Sequence, residues 1–287
     1  MNNDYNTNEN NEKTIEEIIG DNKPKKKRKG LWITILVVAL LLFATTLGYI
    51  IFYISNNSSG ENNYKELSSK VSPTLTDDNK PKNVQKKSAE NPVDFKKLEK
   101  INEDIVGWIK IKDTKIDYPV LRAPKEDYAY YLHRDCYKNY LYAGSIYMER
   151  CNMGDFSDRN TILYGHNMMN GTMFADLHKF EDKEFFDKHR YFYIYTKDSI
   201  KTYLIYSAYE YDDRHIDNAF NHFGDDKVFK EYIDYSLNPV NAIVSNVRNG
   251  AKVTVNDKLV TLSTCTNNRP ENRFLVQGVL VKNEQTK

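Results

Sequence analysis

Three residues in this chain have the types and settings that acyl transfer requires. Cys265 closes the run Lys258-Leu259-Val260-Thr261-Leu262-Ser263-Thr264 and precedes the polar loop Thr266-Asn267-Asn268-Arg269-Pro270. His166 ends the run Asn160-Thr161-Ile162-Leu163-Tyr164-Gly165, and Arg273 opens the run Arg273 to Val281. A free thiol titrates near about 8.5, so a working cysteine nucleophile needs a positive neighbour. Histidine supplies that charge and can hand a proton to a leaving amine. Attack on a carbonyl builds negative charge on oxygen, and arginine offers a permanently charged, planar fork of donors for it. Together these suffice for cysteine-based acyl transfer through a thioester, provided that the three converge in space. Arg269 is the rival for the arginine role, but it lies in the loop, where its orientation is less fixed. Ser263 sits two residues before Cys265 and so faces the same side of the strand. It either lines the groove or serves as a structural hydroxyl.

The elements that must hold these residues read as strands. Gly107–Ile111, Ile116–Leu121, Ser145–Met148, Asn160–His166, Tyr191–Tyr195, Lys201–Tyr209, Lys252–Val255, Lys258–Cys265 and Arg273–Val281 are rich in β-branched and aromatic residues and are separated by turn signals. About eight strands with two or three peripheral helices argue for a mainly antiparallel barrel or sandwich. Apolar spacing predicts a helix from Phe95 to about Glu103, capped by Asp94. Others are predicted over Met173–Phe180 and Asp226–Leu237. A strand end holds a side chain rigidly while the adjoining loop admits substrate.

The first 90 residues have a different texture. Residues 1–30 end in the basic block Lys23-Pro24-Lys25-Lys26-Lys27-Arg28-Lys29, and Leu31–Ile54 is 24 residues of almost unbroken apolar character. At about 1.5 Å per residue that run spans about 36 Å of helix, enough for a hydrocarbon core of about 30 Å. It has no polar face, which argues against a buried core helix. With the basic block on its N-terminal side, residues 1–30 read as a cytoplasmic tail and 31–54 as a transmembrane signal anchor. Residues 55–90 are polar and read as an extracellular linker, leaving 91–287 as the folded domain. The expected location is therefore a single-pass position in the cell membrane, catalytic domain outside. A formal net charge of +1 gives no argument for nucleic-acid binding.

The three cysteines cannot all enter one disulfide framework. An exported domain permits a bond between Cys136 and Cys151, although both read more simply as packing residues. His133, His178, His189, His215 and His222 form no pair spaced for zinc and read as surface or packing residues. There is no dense carboxylate loop suited to calcium, so no metal or cofactor is expected.

Thr261-Leu262-Ser263-Thr264-Cys265 resembles the TLxTC signature of the sortases, surface transpeptidases of Gram-positive bacteria. The segment Asn160–Met168, running into Gly171–Leu177, is similar to the histidine region of class B sortases, and Arg273–Gly278 to the strand bearing the sortase arginine. The resemblance covers about Asp94 to Val281 and implies an eight-stranded sortase-type barrel. It further implies that Cys265 is the nucleophile, His166 the general acid and Arg273 the oxyanion or substrate clamp. The implied reaction cleaves a sorting signal similar to NPQTN, not LPxTG, after Thr and passes the acyl group to a peptidoglycan amine. The implied partners are surface proteins with a C-terminal sorting signal. The helix over Asp226–Leu237 falls where class B members carry an inserted helix. Two alternatives share the same residues: a pilin-polymerising sortase that uses a lysine amine, and a cysteine protease that uses water. A third reading, from another class, is a non-catalytic surface-binding module.

Overall fold

The computed structural model describes residues 29–71, 90–123, 127, 129–212, 214–269 and 271–286. The expected cytoplasmic tail up to residue 28 and the stretch 72–89 of the expected linker lie outside them. The chain divides into one unit ending at Phe52 and another beginning at Tyr53.

Helix α1 (Lys29–Val71) contributes to both units. In the first unit its residues from Leu31 are exposed on every side, including Trp32, Leu36, Leu41 and Phe43. It is the one helix among the described residues long and apolar enough to cross a membrane. In the second unit the helix continues through Ser55–Val71, where the sequence reads as linker. Asn57, Gly60, Tyr64, Leu67 and Val71 are buried there, at alternating three- and four-residue spacing that marks one helical face. Tyr64 donates its hydroxyl to the Gly144 carbonyl at 3.2 Å and stacks edge-on against Tyr118. A Cβ on Gly60 would stand 2.5 Å from Leu141 Cδ1, so any larger residue there would have to displace the Leu141 side chain.

The strands are β1 (Ile105–Ile111), β2 (Asp117–Arg122), β3 (Ile146–Met148), β4 (Asn160–Tyr164), β5 (Tyr191–Thr196), β6 (Ser199–Tyr211), β7 (Ser245–Val247), β8 (Leu259–Cys265) and β9 (Arg273–Gln285). Eight of them follow in the order β5-β1-β2-β3-β4-β8-β9-β6, and β5 pairs with β6 to close the ring. The expected eight-stranded barrel is present, and closure leaves it no free edge. The short β7 attaches to the side of β6 as a ninth strand. Lys252–Val255, expected as a strand, is instead irregular chain leading into a turn. Thr254 bonds to Asp257 there through both its amide N–H and its hydroxyl, which folds the segment on itself before it can pair.

Helix α2 (Phe95–Ile101) is capped as expected, with Asp94 accepting from the Lys97 amide at 3.1 Å. The predicted helix over Met173–Phe180 is a 3₁₀ turn, Ala175–Glu181, followed by α3 (Lys183–Lys188). After β6 come α4 (Ile216–Ala219) and α5 (Asp226–Leu237). On β8, Val260 and Leu262 belong to the larger core, while Leu259 joins the second cluster with Phe229, Tyr232 and Ile233 of α5. Thr261, on the Leu259 face, bonds Tyr232 at 2.8 Å and the Asn160 side chain at 2.8 Å. Cys265 falls on this same face of the strand.

Candidate active site

Strand pairing determines what meets what. β4 and β8 run parallel, with Tyr164 level with Ser263. The alignment persists beyond the ladder: Gly165 N–H donates to Ser263 O at 3.2 Å, and Thr264 Oγ1 donates to Gly165 O at 2.8 Å. His166 follows Gly165 and lines the same cleft as Cys265. On the other side of β8, the antiparallel β9 sets Arg273 directly opposite Cys265. Gly165 is required by crowding, because a Cβ there would lie 2.5 Å from Ile146 Cδ1 and 2.8 Å from Phe174.

Cys265, His166, Arg273 and Ser263 all line one cleft of about 280 Å³. Tyr147, Tyr164 and Thr264 also line it, as do Glu149 and Arg150 on one connection and Arg214, His215 and Ile216 on another. Cys265 is partly exposed, whereas Cys136 is sealed in the core. All three cysteines are free thiols.

His166 is held by its surroundings. Its Nε2–H donates to Leu132 O at 3.0 Å, which leaves Nδ1 as the ring atom that can exchange a proton. His133 and Tyr142 stack against the ring at centroid distances of 5.3 and 5.8 Å. Burial pushes the His166 imidazole below its ordinary range; the bond to Leu132 opposes that shift, and the nearby His133 adds to it.

The two arginines differ in their commitments. Arg269 is ion-paired to Glu210, a buried carboxylate on β6 that also accepts from Asn272 Nδ2 at 2.6 Å. It does not line the cleft. Arg273 does, with Nη1 also donating to the carbonyls of Glu271 and Asn272 at 3.2 and 3.0 Å. Ser263 is almost fully buried, and its Oγ is without a hydrogen-bond partner among the described residues.

Sequence reasoning passed over two residues here. Asn167 Nδ2–H donates to the Cys265 carbonyl at 3.0 Å, and His178 Nε2–H donates to that same carbonyl, also at 3.0 Å. His178 is braced by Glu181 at 2.5 Å and stacks on Phe274, next to Arg273, at 5.1 Å. The histidine read as a surface or packing residue thus helps hold the backbone of Cys265. Its spacing to Glu181 was the only available hint, and nothing in that spacing points to Cys265.

Comparison with known proteins agrees with this architecture. The family model described as the Sortase domain matches residues 109–281. Sortase B of Listeria monocytogenes is 38% identical over 192 residues, covering 66% of this chain and 74% of the relative. Sortase B of Staphylococcus aureus is 30% identical over 256 residues, covering 88% and 97%. A crystal structure of sortase B from Bacillus anthracis superposes with a TM-score of 0.64 at 30% identity, covering 80% of this chain and 99% of that one. One of Staphylococcus aureus sortase B gives 0.60 at 28% identity, covering 79% and 98%. With its closed eight-stranded barrel and with a thiol, an imidazole and a guanidinium in one cleft, this chain belongs to the sortase family of cysteine transpeptidases, in class B.

Proposed function

We propose that the protein is a membrane-anchored class B sortase that cuts an NPQTN-like sorting signal after Thr and joins the protein to a peptidoglycan amine. The Cys265 thiolate attacks the Thr carbonyl carbon. The oxyanion is met by the Arg273 guanidinium. As the carbon–nitrogen bond breaks, His166 gives its proton to the departing amine, leaving the acyl group on sulfur as a thioester. An acceptor amine then attacks the thioester, His166 takes its proton, and the carbon–sulfur bond breaks to restore the thiolate. Ser263, which lines the cleft, helps to shape the groove for the bound peptide.

The observation that carries this reading is the register that sets Arg273 opposite Cys265, together with the cleft that both line with His166. The commitment of Arg269 to buried Glu210 supports Arg273 for the clamp. The exposed apolar segment of α1 supports the anchor, with the basic block on its cytoplasmic side.

The test uses the full chain in detergent with fluorogenic peptides and a panel of amines. Cleavage of the NPQTN-like peptide, transfer to a triglycine or diaminopimelate amine, and trapping of an acyl adduct on Cys265 are the expected results. Much faster cutting of LPxTG peptides would refute the signal assignment. Transfer only to a lysine side chain would instead make it pilin-polymerising, and hydrolysis alone would make it a protease.

A further inference from the structure

Two connections supply much of the cleft wall: Glu149 and Arg150 lie just after β3, and Arg214, His215 and Ile216 just after β6. Beside these wall residues, Cys151 of the first connection meets Asp217 and His222 of the second. Acyl transfer uses none of the three. A thiol sulfur, a carboxylate oxygen and a ring nitrogen from these residues all lie within 4.8 Å of one another. The Asp217 side chain is 5% exposed, yet it accepts from His222 Nδ1–H and stands within 4.8 Å of the Cys151 sulfur. Glu149 and Asp158 add their negative charge at the thiol, although Glu149 keeps partners of its own in His215 at 2.9 Å and Tyr164 at 2.8 Å. Burial, then Asp217, pushes the Cys151 thiol up to about 12. A pocket of carboxylates around a thiol and an imidazole repels anions and invites a cation.

We propose that Cys151, Asp217 and His222 form a three-ligand site for a zinc-like divalent transition metal, which ties the two wall connections of the cleft together. Thiolate with imidazole selects zinc or cobalt over calcium and magnesium, which prefer all-oxygen sets. One thiolate and one carboxylate neutralise the dication, the imidazole binds as a neutral ligand, and water takes the fourth position. On binding, the Cys151 S–H bond breaks as the sulfur–metal bond forms, and that proton leaves to solvent. His222 shifts its ring proton from Nδ1 to Nε2 and gives the Nδ1 lone pair to the metal. No oxidation state changes, and one proton is released per ion. The buried Asp217 charge loses the His222 donor and gains a cation, so it stays compensated.

The test uses the full chain in detergent carrying Cys265→Ala, which removes the cleft thiol as a competing ligand. Added Co²⁺ is expected to give a thiolate-to-cobalt charge-transfer band that saturates at one equivalent, with one proton released per ion. Zn²⁺ should bleach the band, and excess Ca²⁺ should not. Cys151→Ser and His222→Gln should each abolish it, while Cys136→Ser should keep it. Cys151 is exposed, so its serine variant is expected to fold, which an unchanged metal-free melting temperature would verify. The proposal is overturned by the absence of a band, or by a band that survives Cys151→Ser. A band lost in Cys151→Ser but kept in both His222→Gln and Asp217→Asn would mean a lone surface thiol and would overturn it equally.

Discussion

Cys265 and Cys151 stand at two parts of one cleft region with surroundings of opposite sign. Cys265 shares the cleft with His166 and Arg273, both able to stabilise negative charge. Cys151, adjoining the cleft residue Arg150, faces Asp217, Glu149 and Asp158. Whole-residue exposure does not explain the contrast, because Cys151 is the more exposed of the two; what raises its thiol is first the burial of the sulfur and then the carboxylate of Asp217. A thiol is made a nucleophile by the charges that face it, and the same barrel end provides one such environment and its reverse.

Replacing the cleft residues should break that contrast most severely. Cys265→Ala is expected to reduce peptide cleavage to background, and cleavage that persisted would transfer the nucleophile role to another thiol. His166→Ala should cost about 10²–10⁴-fold in kcat/KM. Arg273→Ala should cost about 10²–10³-fold. Arg269→Ala should instead show mainly as a loss of roughly 2 kcal/mol in stability, because Glu210 is left buried without its cation. If Arg269→Ala proves the more damaging to turnover and leaves melting unchanged, the two arginines have been assigned the wrong way round.

A smaller effect should come from the backbone support of Cys265. His178→Ala is expected to lower kcat roughly 10-fold with KM little changed, through misplacement of the sulfur. His178→Gln, which keeps a donor at similar reach, should recover most of the loss. Equal losses in both variants would mean that His178 acts only through packing.

Alkylation rates sharpen the comparison without mutation. With iodoacetamide at about neutral pH, peptide mapping should find Cys265 labelled first. Cys151, with its thiol pushed up to about 12, should label only in strongly alkaline solution despite its exposure. Equal labelling at neutral pH would remove the electrostatic distinction.

The smallest effect is on stability against pH. The folded-state pKa of His166 is lowered, so the unfolded chain binds the proton more readily. Stability from this group is therefore present above the ordinary histidine value of about 6.5, and it is lost as pH falls through that value toward the folded pKa. His166→Gln should flatten this part of the melting-temperature profile. An unchanged slope between about pH 7.5 and pH 5 would assign the dependence to other groups.

Much of this organisation was legible in the sequence, because strands announce themselves by composition and the key side chains sit at strand ends. Cys265, His166 and Arg273 needed only the topology to bring them into one cleft. The helical character of Ser55–Val71 was hidden because its buried face is carried by Asn57, Gly60, Tyr64, Leu67 and Val71, of which only three are large and apolar. The β7 strand is three residues long and polar in part, too short for a periodic signal. His178 was unreadable for a different reason. Its partner is a backbone carbonyl 87 residues away, and no side-chain pattern encodes such a bond.

The pairing of β8 has a consequence for the order of events during synthesis. Thr264 and Gly165, which bond across the β4–β8 ladder, are 99 residues apart, and β9 is the last strand of the barrel. Loop closure of that length is slow and is rewarded only once both ladders form. The chain leaves the ribosome N-terminus first, so His166 emerges long before its partners, and Cys265 has no guanidinium opposite it until β9 is made. The reactive centre therefore stays incomplete until β9 follows β8 out of the ribosome and pairs with it.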